Sequence, residues 1–129
     1  MLSAAVENMD NDNNLIIDTL TILPDKVDCY IQAPSLENNE MLSMMNDTQF
    51  PYYKQIHLSQ TNKNYFLSLL KKGQISDYLQ NVKIESNGIL LFEGYDGVEY
   101  GVLSKTIAVP KWYKKEYIET HICSISKEW

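Results

Sequence analysis

The sequence contains no arginine: all 11 basic residues are lysines, set against 17 acids for a formal net charge of −6. Nucleic-acid binding needs a positive footprint on phosphates, and arginine makes most bidentate contacts to guanine and phosphate. Nucleic acid is therefore not expected as a partner. Histidine and cysteine are scarce too, with two of each. Zinc takes four nitrogen or sulfur ligands at close spacing, whereas Cys29, His57, His121 and Cys123 are scattered along the chain. No apolar run approaches the roughly 18 residues needed to cross a bilayer, and no membrane partner is expected. The opening MLSAAVENMDNDNN has neither the basic nor the apolar region of a secretory signal, so a cytoplasmic location is expected.

The signatures of common sites are missing as well. Gly94, Gly97 and Gly101 give G-x-x-G-x-x-x-G with no helical pattern behind it to receive a phosphate. A calcium loop of the EF-hand kind wants alternating acids, then glycine, then a glutamate. MDNDNNLIIDT has the acids without the glycine, and GYDGVEYG the glycine without the acids. A hydrolase needs nucleophile, base and orienting acid converging in space. His57 and His121 both sit in alternating apolar stretches and read as half-buried strand residues; Cys29 with His121 forms a conceivable thiolate pair that no local motif supports. The cysteines alternate with apolar neighbours and read as small buried hydrophobes, kept reduced in a cytoplasmic protein. No catalytic residue, metal or cofactor is expected. An enzyme using His57 or His121 is the third reading.

What is present is an ordinary globular composition, 44% hydrophobic and 22% charged over 129 residues, the size of one domain. Residues 1–13 are polar and without period, a loose leader. LIIDTLTIL fits one helical face through Leu15, Ile16, Thr19, Leu20 and Leu23, yet its β-branched content also permits a strand; Pro24 ends it either way. DKVDCYIQ alternates as a strand, with Asp28, Tyr30 and Gln32 on its wet side. APSLENNEMLSMMND reads as a helix capped by Ser35. QFPYYKQIHLSQ reads as an edge-type strand, because Pro51 cannot donate to a central ladder. TNKNYFLSLLKKGQ is the clearest helix: Thr61 caps it, Tyr65, Phe66, Leu69 and Leu70 form its apolar face, and Gly73 stops it. A short helical turn at ISDYLQ follows.

The next third is strand-like. Asn87-Gly88 and Asp96-Gly97 each sit between apolar segments, the strongest short-range hairpin signal. They predict strands at 81–86, 89–94 and 98–104, with Gly97 making the turn and Gly94 and Gly101 flanking the strand ends. A fourth extended piece is expected at 105–109 and a helix from Pro110 carrying Trp112, Tyr113, Tyr117 and Ile118. HICSISKEW is a last strand or a tail. The expected fold is α+β: an antiparallel meander of four to five strands with two or three helices on one face.

Charge and aromatics point to a partner. Residues 1–48 carry nine acids (Glu7, Asp10, Asp12, Asp18, Asp25, Asp28, Glu37, Glu40, Asp47) against Lys26, about −8, and the remainder carries about +2, which sums to −6. An acidic face suits a basic partner, since complementary potentials speed encounter and reject wrong partners. Nine tyrosines and two tryptophans include several in polar or turn settings, among them Tyr52, Tyr53, Tyr95, Tyr100, Trp112 and Tyr113. Aromatics and acids together are the expected anchors of a specific interface without arginine. The anchors chosen on this ground are Glu37, Glu40, Asp47, Tyr52, Tyr53, Tyr95, Asp96 and Glu99.

The stretch ILLFEGYDGVEYGVLSKTIAVPKWYKKEYI runs strand, aspartate-glycine turn, strand, then a proline-led aromatic helix. In that order it resembles segments of immunity proteins from bacterial contact-dependent growth inhibition systems. The resemblance implies a protein that binds and neutralises one cognate toxin domain, often a basic nuclease, by covering its active site or holding it elsewhere. A small non-catalytic adaptor or structural module of a larger assembly is the other reading.

Overall fold

The computed structural model describes residues 15–50 and 52–129; the expected leader lies outside them. LIIDTLTI resolves as helix α1 (Leu15–Ile22), and Leu15, Ile16, Thr19, Leu20 and Leu23 are all buried. The helical spacing of those five outweighs the β-branched content, because a strand would bury only every second residue. Lys63 finishes the helix end. Its ammonium is nearly buried, 3.1 Å from the Leu23 carbonyl oxygen and 3.2 Å from Asp25 Oδ1, a cation placed where helix carbonyls run out of partners.

Among the described residues seven strands form one sheet: β1 (Val27–Gln32), β2 (Asn46–Asp47), β3 (Lys54–Leu58), β4 (Asn81–Ser86), β5 (Ile89–Tyr95), β6 (Tyr100–Leu103) and β7 (Cys123–Ile125), in the order β2-β3-β1-β4-β5-β6-β7. Among the described residues the α-helices are α1, α2 (Asn39–Ser43), α3 (Lys63–Lys71) and α4 (Lys111–Tyr113), with a 3-10 turn at Lys72–Tyr78 and a π turn at Lys114–Ile118. The fold is α+β as expected, but the sheet is larger than four or five strands and is mixed. Every pairing is antiparallel except β6 with β7. Parallel neighbours need a long crossover, and residues 104–122 supply it by passing α4 across the core side. The expected extended piece at 105–109 is absent: Lys105 N–H donates to the Trp129 carbonyl, and Ser104 Oγ accepts from Thr106 N–H, so the chain turns there instead.

Two helix readings also shift. The segment 33–47 is helical only at Asn39–Ser43, capped by Asn38 Oδ1 2.8 Å from Met41 N, not by Ser35. Residues 46–47, read as its tail, pair with β3 instead. Asn62, not Thr61, precedes α3; its side chain binds the Ser59 N–H and the His57 carbonyl, closing the β3–α3 turn. Tyr65 leaves the apolar face and is exposed, donating its hydroxyl to Glu40 Oε2 at 3.0 Å.

The core lies on one side of the sheet. Cross-strand partners Ile56, Cys29, Ile84, Phe92 and Leu103 form one buried row over five strands. A bulge at Leu91 lets Leu91 and Phe92 both reach the interior. Phe66, Leu69 and Leu70 of α3, the α1 residues, Tyr113 and Tyr117 close over this side. The two tyrosines fasten the crossover to α1: Tyr113 Oη is 2.8 Å from Thr19 Oγ1, and Tyr117 Oη donates to Asp18 Oδ2.

Burial raises the pKa of each of these phenols above its ordinary value, for Tyr117 with the Asp18 hydrogen bond adding to it. Burial likewise pushes the Cys29 thiol up to about 12, with Asp28 adding to it. A raised folded pKa means the folded state holds the proton more tightly. The resulting stability is complete below the unfolded values, 9.0 for the thiol and 10.0 for the phenols, and is lost as pH climbs beyond them. The melting temperature is therefore expected to be level from about pH 7 to 8.5 and to fall steeply above about pH 10. A differential-scanning series with no decline by pH 11 would contradict the buried latch.

Candidate partner-binding surface

Among the described residues, no layer covers the other side of the sheet. Alternation places Asp28, Tyr30 and Gln32 of β1 there, with Gln55 and His57 of β3, Lys83 and Glu85 of β4, Glu93 and Tyr95 of β5, and Tyr100 and Val102 of β6; all are half-buried or exposed. Register sets them in rows. His57, Asp28 and Glu85 are cross-strand partners, as are Gln55, Tyr30, Lys83, Glu93 and Val102. Local pairs tie several of them: His57 Nδ1 bonds Asp28 Oδ1, Gln55 Nε2 donates to Tyr30 Oη at 3.4 Å, and Lys83 Nζ lies 3.8 Å from Glu93 Oε2.

At one end of the sheet lies the β5–β6 connection. Asn87 and Gly88, with φ of 52° and 79°, make the expected two-residue turn of the preceding hairpin. Asp96-Gly97 does not, because the strands re-pair only at Tyr95 with Tyr100, leaving the four-residue loop Asp96–Glu99. Its third residue, Val98, has φ of 56°, unfavourable for a β-branched side chain, and is buried to 6% exposure. Packing compensates the backbone: Val98 sits against Gly94, and Gly97 N–H donates to the Gln80 carbonyl at 3.0 Å. Asp96 and Glu99 are thus exposed on a pinned loop that follows directly from a cross-strand pair of exposed tyrosines, Tyr95 and Tyr100.

At the β1–β4 side the loop before β3 overhangs the sheet. Thr48 ties its described ends together: the single hydroxyl proton is shared between the Phe50 and Tyr53 carbonyls, each 2.9 Å from Oγ1, and Oγ1 accepts from Phe50 N–H at 3.0 Å. Phe50 and Tyr53 then wall a cleft of about 440 Å³ whose remaining sides are Tyr30, Lys83 and Glu85.

The eight anchors chosen from sequence do not form one patch. Tyr95, Asp96 and Glu99 share the pinned hairpin, and Tyr53 lines the cleft, with Tyr52 beside it at 73% exposure. Asp47 lies on the short edge strand β2, where the Lys54 ammonium, by hydrogen bond first and charge second, holds its carboxyl below the usual range. Glu40 is on the helix-covered side, occupied by Tyr65, and Glu37 borders a separate hollow of about 250 Å³ with Ser35, Lys72 and Tyr78. Tyr113, weighed as a surface aromatic, is fully buried.

No family model, no curated protein and no solved structure matches the chain. The site is therefore read from its own chemistry. Cys29 is buried in a central strand, and His121 is exposed just before the edge strand β7, so the thiolate pair the sequence allowed is not assembled. His57 is oriented by Asp28, and no other side chain of the described residues hydrogen-bonds its ring. Sequence reading missed Tyr30, Phe50 and Glu85. The wet side of DKVDCYIQ was legible, but nothing local says that β1 lies beside β4.

Proposed function

We propose that this protein is a non-catalytic inhibitor of the immunity type, which neutralises a basic toxin domain by docking its open sheet face and the Asp96–Glu99 loop against it. The observation that carries the reading is that uncovered face. It spans five strands from β3 to β6, about 19 Å at ~4.8 Å per strand, and bears Phe50, Tyr53, Tyr30, Tyr95 and Tyr100 with acids between them. Aromatic anchors set among negative charges on rigid strands are what a specific, fast-associating interface uses. An exposed sheet face of this kind offers rows of side chains without conformational ordering on binding, which keeps the entropic cost low.

The test is co-expression with the product of the neighbouring reading frame. A stoichiometric complex is expected, and its association rate should fall by about tenfold or more between low and ~0.5 M salt, because exposed charges are screened beyond a Debye length. Asp96→Asn with Glu99→Lys should slow association by about three- to tenfold while leaving the fold intact, since both side chains are exposed and asparagine accepts the φ of 55° at position 96. A salt-independent rate would remove the electrostatic half of the proposal. Complex formation through the helix-covered side, seen as protection confined to α1 and α3, would remove the rest and leave the adaptor reading.

A further inference from the structure

We infer that the cleft between the 48–53 loop and strands β1 and β4 is a receptor for a single arginine side chain presented by the protein partner. The inference deepens the proposed function and rests on it for the source of that side chain, but not for the chemistry of the cleft. Three aromatic rings, Tyr30, Phe50 and Tyr53, line a hollow of about 440 Å³, with Glu85 as the carboxylate at its edge. That volume is near the small end of the ~300–1,000 Å³ range of ligand sites, suited to one long side chain and not to a helix or strand. A guanidinium is planar and weakly hydrated, stacks on aromatic faces, and takes a carboxylate in its plane. Rings for stacking and an acid for the fork are the two parts such a group requires.

The charge around the cleft favours a cation. Of the residues that line it, Glu85 is the acid and Lys83 the base, and Asp28 and Glu93 stand beside them in the same cross-strand rows. Lys83 is turned toward Glu93, at 3.8 Å, and Asp28 holds His57, whereas Glu85 has no ion-pair partner among the described residues. The Tyr30 hydroxyl responds to the same field: partial burial first, then Glu85 and Asp28, raise its pKa. The walls are also set before any ligand arrives. Thr48 Oγ1 joins Phe50 and Tyr53, with its one proton shared between their carbonyls and the Phe50 N–H donating to it, and Gln55 orients Tyr30. Phe50 is 56% exposed, a large apolar ring held in water at the same cleft as Glu85. Preorganised aromatic surface of that kind gains affinity without a cost in ordering.

The experiment is an NMR titration of the full chain with Nα-acetyl-arginine N-methylamide, with the neutral isostere Nα-acetyl-citrulline N-methylamide and inorganic phosphate as separate arms. Saturable shifts centred on Tyr30, Phe50, Tyr53 and Glu85 are expected for arginine, and binding at least about tenfold weaker for citrulline. Phe50→Ala and Glu85→Gln should each weaken arginine binding by about fivefold or more; neither residue belongs to the core, so both variants keep the fold. Equal shifts with citrulline, no shifts in the cleft, or an unaffected Glu85→Gln would overturn the inference. Phosphate moving the same resonances more strongly than arginine would do so as well, by making the cleft an anion site through Lys83. The two proposals fail separately. A salt-sensitive complex that tolerates Phe50→Ala sinks the arginine receptor alone, and a cleft that takes arginine in a protein with no basic partner sinks the inhibitor reading alone.

Discussion

Truncation of Tyr113 to alanine is expected to cost about 3–5 kcal/mol of folding stability, against about 1 kcal/mol for Tyr113→Phe. The residue has no exposed surface, and its ring packs 4.8 Å from that of Tyr117, centroid to centroid, and edge-on to Trp112. Its hydroxyl meets Thr19 Oγ1 on α1 and lies 3.6 Å from Cys123 Sγ on β7. The side chain therefore joins the first helix, the crossover and the edge strand. Removing the ring opens a cavity where three parts of the chain that are distant in sequence converge, and such a site relaxes poorly. The phenylalanine variant keeps the volume and loses only the phenol. Thr19 can then turn its hydroxyl to a carbonyl one helical turn earlier, which limits the penalty. Urea unfolding followed by circular dichroism separates the cases. An alanine variant within about 1 kcal/mol of the parent would show that the crossover is not anchored here. For a protein whose whole stability is of order 5–15 kcal/mol, the expected loss is a large share.

What sequence reading recovered and what it missed divide along one physical line. Period and turn chemistry are local, and they located α1, α3, β1 and the β4–β5–β6 meander closely: Asn87-Gly88 turns where the dipeptide says, and strands expected at 81–86 and 89–94 appear at Asn81–Ser86 and Ile89–Tyr95. The rest depends on who pairs with whom. No pattern in DKVDCYIQ announces that β1 takes β3 on one side and β4 on the other, since one alternation suits either neighbour. Nor does a three-residue strand with one buried residue, as in β7, carry enough alternation to mark it. The tyrosines show the same limit. Tyr113 and Tyr95 both lie in polar text, yet one is fully buried and the other 42% exposed, because the fold and not the neighbours decides what covers each ring.

The same division governs the candidate site. Acid and aromatic counting found residues that are mostly at the surface, but it could not group them. Asp47 and Glu40 are acidic and exposed, yet Lys54 and Tyr65 already use them, and exposed pairs of this kind contribute little that a partner could displace at profit. Conversely Glu85, in a strand where alternation made it an ordinary wet residue, lines a cleft with three rings and has no ion-pair partner among the described residues. The functional weight of a charge is set by its unused hydrogen-bonding capacity and its neighbours across the sheet. Neither is a property of its place in the chain.

Gly101→Ala provides the other large expected effect and revises the reading of EGYDGVEYG. Alanine in a strand ordinarily stabilises relative to glycine, because it loses less backbone entropy on folding. At position 101 the sign is expected to reverse, with a cost of about 1–3 kcal/mol. A Cβ there would stand 2.5 Å from Phe92 Cε1, 2.6 Å from Phe92 Cζ and 3.0 Å from the Glu93 carbonyl oxygen. Gly94 is its cross-strand partner, and a Cβ at that position would lie 2.7 Å from Val98 Cγ1 and 3.0 Å from Phe92 Cε2. These two glycines are not strand-end punctuation. They sit inside the ladder and form a trough on the core side, into which the Phe92 ring lies down and over which Val98 closes. Only Gly97, at φ of 74°, serves the loop's backbone. The trough thus holds the strained Val98 that keeps Asp96 and Glu99 outward, linking core packing to the surface a partner would meet. A double-mutant cycle with Phe92→Leu checks the mechanism. With the ring shortened, the Gly101→Ala penalty should shrink but not vanish, because the Glu93 carbonyl remains in place. Additive losses across the cycle, or an alanine variant as stable as the parent, would show that the ring does not occupy the trough. If the link is real, Gly94→Ala also loosens the 96–99 loop, measurable as faster amide exchange at Gly97, whose N–H is tied to Gln80.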